Sequence, residues 1–418
     1  MLILGSLVAL ILARVAAQLW LNALNVNEAS RWASEAPSWL AGAIEEDRRR
    51  KSVDYTLARA KVSAFDIVYD AAILSVVVFS GLLPRLYSAI TGTLGTSVWV
   101  SAAYVVVVGI VLSIPGLPLD AWVQFRLEER FGFNRTTVRL WIVDRIKGLV
   151  LGIVIGYPLL CVVLGLIQWT GRMWWLWGFV VMVAFQLVML VLFPKVILPM
   201  FNKLEPLPDG SLKQRLIALA GRCGFQVSAI QVMDGSKRST HSNAFFTGLG
   251  RFRRIVLFDT LIASMTEEQI EAVLAHEIGH SKKGHVIKGL ILSILVTLVG
   301  FGVLGLLVER PWLYDAFGFA PGQVAPLLVL IGLTSGLATF WLTPLGNAIS
   351  RKHEYEADAY ARQAVGTPTP LVEALTRLAE SNLSNLTPHP WYSGFYYSHP
   401  TWVERRAALL REGAVSRA

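Results

Sequence analysis

The short sequence AHEIGH carries two histidines and one glutamate at the spacing of a zinc peptidase. His276 and His280 are four residues apart, so on a helix both imidazoles project from one face and can bind one ion. Glu277 lies between them, where its carboxylate can take a proton from metal-bound water. The motif predicts hydrolysis of an amide bond with one Zn²⁺ per chain. The alternative is an ordinary polar helix face.

A third ligand is expected in SRKHEYEADAYA, residues 350–361. Glu354 and Asp358 are four residues apart and share a helix face. We predict that Glu354 completes the zinc site and that Asp358 accepts a hydrogen bond from a ligand imidazole. Glu356 points elsewhere and is expected to be a solvated charge. His353 is the alternative ligand if the helical register differs.

The other histidines are expected to have no metal-binding role. All seven histidines, from His241 to His399, lie in or beside the candidate catalytic segments, which favours one metal site. On a continuous helix His285 lies five residues beyond His280 and turns away from the shared face. His241 and His389 have no helical partner and are read as ordinary polar residues.

A small α+β unit is predicted to position the HEIGH helix. The sequence predicts a helix at 211–223, followed by the strand-like runs FQVSAIQVM, NAFFTGL and RRIVLFD. Thr266 and Gln269 then have the spacing of a capping box, which starts a helix where the motif needs one.

The composition is that of a membrane protein. Hydrophobic residues make up 54% of the 418 positions and charged residues only 16%, far from the usual soluble mixture. The net charge of +9 is explained by basic cytoplasmic loops rather than by nucleic-acid binding.

Seven apolar runs are long enough to cross a bilayer, since about 20 residues are needed. They are residues 2–24, 66–90, 96–117, 147–169, 173–200, 287–308 and 325–347. We therefore divide the chain into spans one to five with their loops at 1–200, a first catalytic segment at 201–286, spans six and seven at 287–347, and a second catalytic segment at 348–418.

Loop charges predict the orientation of the spans. Basic residues are concentrated after spans one and three, so these loops should be cytoplasmic. They are Arg31, Arg48, Arg49, Arg50, Lys51, Arg59, Lys61, Arg126, Arg130, Arg135, Arg139 and Arg145. The amino terminus is then outside and the catalytic unit cytoplasmic. Asp66 and Asp70 begin span two; carboxylates inside a membrane are often functional, but these two can also lie at the interface, and no role is assigned.

These motifs resemble the type I CAAX prenyl endopeptidases, integral membrane zinc proteases of the gluzincin type. The resemblance rests on HEIGH, SRKHEYEADAYA, FRRIVLFDTL, SNAFFTG, EERFGFNRTT and FNKLEPLPDGS, and runs from about residue 60 to the end of the chain. It implies His276, His280 and Glu354 as zinc ligands and Glu277 as catalytic base, in agreement with the reading from spacing.

Further expectations come from the resemblance alone. In YSHPTWVERR, His399 and Arg405 match residues that line the cleft near the substrate backbone, where such donors can stabilise an oxyanion or hold a carboxylate. Asn243 matches the strand that binds extended substrate, although an Asn there can also simply shape a turn. The predicted fold class is mainly α: a polytopic membrane protein with seven transmembrane helices and a small cytoplasmic α+β zinc-peptidase domain. The resemblance adds that the helices enclose a chamber.

The implied function is cleavage after a prenylated carboxyl-terminal cysteine of a membrane-associated protein. Two alternatives stay open: a bacterial membrane-protein quality-control protease without a lipid requirement, and a transporter or channel with a fortuitous HExxH. The expected partners are the substrate protein and the lipid bilayer, with no nucleic acid. The bacterial inner membrane is the favoured location, and the endoplasmic reticulum membrane is the alternative.

Overall fold

The computed structural model describes residues 2–34, 44–247 and 254–415. Within this part of the chain the protein is mostly helical, with one small sheet. Gly248, Phe252 and Arg253, which belong to two of the motifs used above, lie outside the described residues.

The amino-terminal half consists of helices. They are α1 (Leu2–Ser34), α2 (Glu46–Phe79), α3 (Leu82–Leu94), α4 (Val98–Ser113), α5 (Leu117–Trp122), α6 (Glu129–Phe131), α7 (Val138–Thr170), α8 (Trp174–Leu192) and α9 (Leu198–Phe201), with π-helical turns at Val123–Glu128 and Phe193–Ile197 and a 3₁₀ turn at Gly171–Met173. The run predicted at 66–90 is broken between α2 and α3 at Gly81, which adopts φ 73°, a conformation that glycine reaches without strain.

A four-stranded sheet follows and leads into the HEIGH helix. Its elements are β1 (Leu204–Pro206), α10 (Ser211–Arg222), β2 (Ala229–Met233), β3 (Ala244–Thr247), β4 (Arg254–Phe258), α11 (Asp259–Ser264) and α12 (Glu267–Lys282). The strand order is β1-β2-β4-β3. Only the β2–β4 pair is parallel, with Ile230 opposite Ile255. Strand β1 was not anticipated from the sequence.

The remaining helices complete the molecule. They are α13 (His285–Val308), α14 (Pro311–Ala316), α15 (Val324–Thr339), α16 (Thr343–Val365), α17 (Thr369–Ser381), α18 (Pro390–Tyr396) and α19 (Trp402–Val415). Helix α16 packs extensively against α12, and α17 and α19 pack beside them. Residues on both sides of the α13–α15 region therefore share one structural unit.

Among the described residues, five helical stretches are long and apolar enough to cross a membrane, or six if the bent pair Val98–Ser113 and Leu117–Phe131 is one span. This establishes a multi-pass membrane protein, although the number differs from the seven predicted runs. Large apolar side chains on these stretches, such as Val154, Val296 and Val299, are exposed, as lipid-facing side chains are.

The catalytic unit has its own hydrophobic core. Buried side chains from α10, the sheet, α12, α17 and α19 pack together. They include Leu216, Leu219, Ile255, Leu257, Ile270, Leu274, Ile278, Leu371 and Leu409. Burying this apolar surface fixes α12 between the sheet and α16–α17, which is the arrangement that the site depends on.

Candidate active site

Helix α12 starts with the predicted capping box. Thr266 accepts a hydrogen bond from the Gln269 backbone N–H, and the Gln269 side chain accepts one from the Thr266 backbone N–H. Ile270, Leu274 and Ile278 are buried on the core side of α12. Because the start of the helix and its buried face are both fixed, α12 cannot rotate about its axis, and the side chains of the HEIGH segment keep one direction.

Helix α16 carries the second half of the site and lies unusually close to α12. A Cβ atom on Gly279 would lie 3.0 Å from both the Cα and the carbonyl oxygen of Ala357. With any other residue at this position, the two backbones would have to move apart by a few tenths of an ångström. The contact places Glu354, which is 5% exposed, and the buried Asp358 opposite the two histidines of α12.

The three predicted ligands converge. His276 Nε2 lies 3.1 Å from His280 Nε2 and 3.4 Å from Glu354 Oε2, and His280 Nε2 lies 3.2 Å from Glu354 Oε1. Ligand atoms about 2.0–2.1 Å from one tetrahedral zinc ion are separated by about 3.4 Å. Among the described residues, these three together can hold a metal ion.

One oxygen of this group makes no close hydrogen bond. Glu354 Oε2 is buried, and the donors His276 Nε2 and Arg405 Nη1 lie 3.4 and 3.5 Å from it. A buried carboxylate oxygen with only such distant donors is costly, and a cation bound between the ligand atoms would compensate it. The two Nε2 atoms also point at each other, so at least one of them offers a lone pair there. The residues present thus fit a divalent metal ion.

A buried ion pair supports His276. Asp358 accepts hydrogen bonds from His276 Nδ1 at 2.8 Å and from Arg405 Nε and Nη2 at 2.8 and 2.6 Å. Arg405 Nη1 also lies 3.5 Å from Glu354 Oε2. Burial opposes the charged imidazole, but hydrogen bonds to Asp358 and Glu354 outweigh it and raise the pKa of His276 to about 9. A cation binding here therefore competes with a proton.

Glu277 faces a cavity beside the metal group. The cavity has a volume of about 280 Å³, and its lining includes Glu277, Glu354, Asn243, Asn382 and His399. Burial raises the pKa of the Glu277 carboxyl above its ordinary value. A carboxylate with a raised pKa is a better proton acceptor than a solvated one, as the predicted base requires.

The three remaining predicted residues line the cavity in different ways. His399 is exposed, and its Nε2 lies 3.4 Å from Glu354 Oε1. Asn243 precedes β3, and its side chain accepts a hydrogen bond from the Ala244 N–H at 2.8 Å, so it shapes the turn into this edge strand. Arg405 is buried and donates hydrogen bonds to Asp358. Direct contact of any of the three with substrate stays a prediction.

His285 and Glu356 lie outside the metal group, as expected, but their surroundings differ from those predicted. His285 is buried, with its Nδ1 3.0 Å from His280 Nδ1 and its Nε2 3.0 Å from Glu356 Oε2. The physical reason is a helix break: α12 ends at Lys282, and Gly284 adopts φ 70° before α13 begins. A glycine just past a lysine-rich helix end is a stop signal, and SKKGH contains it. This signal indicates that the helical spacing of α12 cannot be extended to His285.

Two family models match almost the whole chain. A model for the CAAX prenyl protease N-terminal region, with five membrane helices, matches residues 27–203. A model for peptidase family M48 matches residues 206–412. The sequence-based resemblance is thereby confirmed.

Known proteins match over similar lengths. CAAX prenyl protease 1 of Saccharomyces cerevisiae is 39% identical, with 90% of this chain and 88% of the relative covered. A homologue of that protease from Arabidopsis thaliana is 34% identical over 89% of this chain and 90% of the relative.

The fold is also that of a solved structure. The crystal structure of S. mikatae Ste24p has a TM-score of 0.89 and 35% identity, and the match covers 96% of this chain and 98% of that one. The candidate metal group, a glutamate in the cavity beside it and this similarity agree, and they favour an enzyme over a transporter or channel. The chain belongs to the M48 family of CAAX prenyl proteases and is a membrane metalloendopeptidase.

Proposed function

We propose that this enzyme holds one zinc ion through His276, His280 and Glu354 and cleaves membrane-associated proteins after a prenylated carboxyl-terminal cysteine. The proposal is supported by relatives named CAAX prenyl protease 1 and by cavities that lead from the metal site toward the membrane helices. A substrate of this kind has a peptide end that must reach the metal and a lipid chain that must stay out of water.

The observation that carries the proposal is the position of Asn382. It lines the cavity beside the metal group and also a cavity of about 470 Å³ whose wall includes Tyr55 and Asp66 of α2. Asp66 also lines a further cavity of about 470 Å³, together with Arg14 and Asp70. The metal site therefore adjoins the space between the membrane helices, which is where the lipid chain of such a substrate would lie.

Zinc bound there would polarise the scissile carbonyl and acidify a bound water. Glu277 accepts a proton from the attacking water and returns it to the leaving amine, which its raised pKa favours. Asp358 and Arg405 hold His276 in place. His399, exposed at the cavity, is available to donate a hydrogen bond to the carbonyl oxygen as negative charge develops on it. Asn243 positions β3 as an edge strand against which an extended peptide can lie.

Seven transmembrane helices are proposed for the membrane part. The stretch Val138–Phe201 has 64 residues, which as one helix would measure about 96 Å, roughly three times the hydrocarbon thickness. It contains α7 and α8, which pack against each other, and we count these as two spans. With the bent pair as one span, seven result. The catalytic unit, consisting of segments 201–286 and 348–418, is then cytoplasmic and the amino terminus outside.

The proposed location is an endomembrane rather than the bacterial inner membrane. The named relatives come from eukaryotes, which is at odds with the bacterial location that we favoured from the sequence. The endoplasmic reticulum membrane, the alternative given there, is the better proposal, and fluorescence localisation of the tagged chain in yeast tests it.

The test is cleavage of matched peptides by purified enzyme in liposomes. A farnesylated peptide and its unmodified counterpart are incubated with wild type and with Glu277→Gln, and products are identified by mass spectrometry. We expect cleavage after the farnesylated cysteine, with a loss of at least about 10²-fold in the variant. Equal cleavage of both peptides would indicate a protease without a lipid requirement. Equal activity of wild type and variant would eliminate Glu277 as the base.

A further inference from the structure

The two ligand histidines are supported from behind by different groups. His276 Nδ1 lies 2.8 Å from the carboxylate of Asp358. His280 Nδ1 lies 3.0 Å from another imidazole, that of His285, whose far nitrogen is 3.0 Å from Glu356. We infer that Glu356 and His285 form a hydrogen-bonded chain behind His280, called the relay below, in which Glu356 holds His285 and His285 holds His280. The relay positions His280 and fixes its tautomer for metal binding. The inference rests on the metal site proposed above.

The direction of the relay follows from the chemistry of its members. An ionised carboxylate can only accept hydrogen bonds, so Glu356 requires a proton on His285 Nε2. In the neutral imidazole the other nitrogen, His285 Nδ1, then carries a lone pair and accepts from His280 Nδ1–H. The proton on His280 Nδ1 leaves its Nε2 with the lone pair, on the side that faces His276 and Glu354.

The opposite arrangement would place a proton on His280 Nε2, where a metal ligand needs a lone pair. A hydrogen-bond partner on the remote nitrogen of a ligating histidine commonly sets the tautomer in this way. Glu356 thus determines, through one intervening ring, which nitrogen of His280 is free to bind the metal.

Packing holds the intermediate ring in this orientation. His285 is 6% exposed, and the ring of His353 stacks on it with centroids 4.0 Å apart and an interplanar angle of 13°. His353 and Glu356 both lie on α16, the helix that supplies Glu354. Helix α16 therefore contributes one ligand directly and supports another through His285.

Zinc retention tests the relay without relying on activity. Wild type and variants are purified with zinc, and the rate of zinc loss to a chelator is measured together with the visible spectrum of the cobalt-substituted protein. We expect His285→Leu to lose zinc about 10–100-fold faster. His285→Asn, whose side-chain oxygen can accept from His280 Nδ1–H, should restore most of the retention.

Variants at position 356 separate the relay from general damage to the fold. Glu356 is partly exposed and Lys352 lies 4.0 Å from it on the surface. Glu356→Ala should accelerate zinc loss several-fold, whereas Lys352→Ala, which removes only the surface contact, should retain zinc as wild type does. If His285→Leu does not fold, Glu356→Ala and His285→Asn decide the question.

Two outcomes contradict different claims. Wild-type rates of zinc loss in folded His285→Leu, or in Glu356→Ala, would overturn the relay and leave the peptidase intact. Failure of the wild-type protein to bind zinc at all would overturn the proposed metal site itself.

Discussion

Apart from the Glu354 oxygen that faces the metal position, the charged side chains of the metal site are held by hydrogen bonds, whereas a charged side chain in the cavity between the membrane helices is held less completely. At the metal site, Asp358 accepts from both His276 and Arg405 inside a closely packed helix pair. In the cavity between the membrane helices, Arg14 Nε is buried without a hydrogen-bond partner within the described residues, near Asp66 and Asp70. Catalysis needs fixed positions, whereas a space that admits water and varied substrates does not. Substitutions should therefore be costly in the first region and mild in the second.

The largest effect is expected at the third ligand. Glu354→Gln removes the negative charge that faces the two imidazoles and the metal position. The zinc stoichiometry should therefore fall well below one per chain, and the rate of peptide cleavage should fall by at least about 10³-fold. Zinc analysis and a peptidase assay measure both. Glu373→Gln on α17 is the control and should retain both properties. Full activity with bound zinc in Glu354→Gln would mean that another residue completes the site.

A smaller but still large effect is expected where α12 meets α16. Gly279→Val places a Cβ atom 3.0 Å from Ala357 backbone atoms, which is closer than side chains normally pack. We therefore expect the free energy of unfolding to fall by about 1–3 kcal/mol and zinc retention to fall with it. Thermal unfolding followed by tryptophan fluorescence measures this. A Cβ atom on Gly289 would meet nothing within 4 Å, and Gly289→Val should be close to neutral. Equal unfolding temperatures for the two variants would show that the helix contact is not rigid.

An intermediate effect is expected for the support of His276. Arg405→Lys keeps the charge but loses the two parallel hydrogen bonds to Asp358, and kcat/KM should fall about 10–100-fold. The neighbouring Arg406, which stacks over Trp402, provides the control Arg406→Lys. If the two substitutions have the same small effect, the buried ion pair does not position the site.

The smallest effect is expected in the cavity. Asp66→Asn with Asp70→Asn should change hydrolysis of a short, unmodified peptide by less than about threefold, as expected for a change of about 0.5 kcal/mol. Steady-state kinetics with a short peptide and with a farnesylated peptide test this. Loss of short-peptide cleavage would show that the cavity is as sensitive to substitution as the metal site. A loss confined to the farnesylated peptide would show that the cavity affects the lipid-bearing substrate alone.

Local sequence signals were enough to predict the parts of the site that lie on one helix. The four-residue spacing of His276 and His280, and that of Glu354 and Asp358, follows from helix periodicity, and the capping box at Thr266 is confirmed. The apolar runs were visible for the same reason, because crossing lipid demands long uninterrupted stretches.

Contacts between distant segments could not be predicted in this way. The pairing of His285 with Glu356 depends on a helix break at Gly284 and on how α13 and α16 pack. Likewise, nothing in the sequence indicates that Arg405 hydrogen-bonds Asp358. Periodicity carries no information on such tertiary neighbours, so neither pairing was predicted.

The order of the ligands along the chain has a consequence for biogenesis. His276 and His280 precede α13, and Glu354 follows α15. The proposed metal ligands therefore lie on both sides of two helices that are able to cross a membrane. The proposed metal site can therefore be completed only after the helices between its donors have been synthesised.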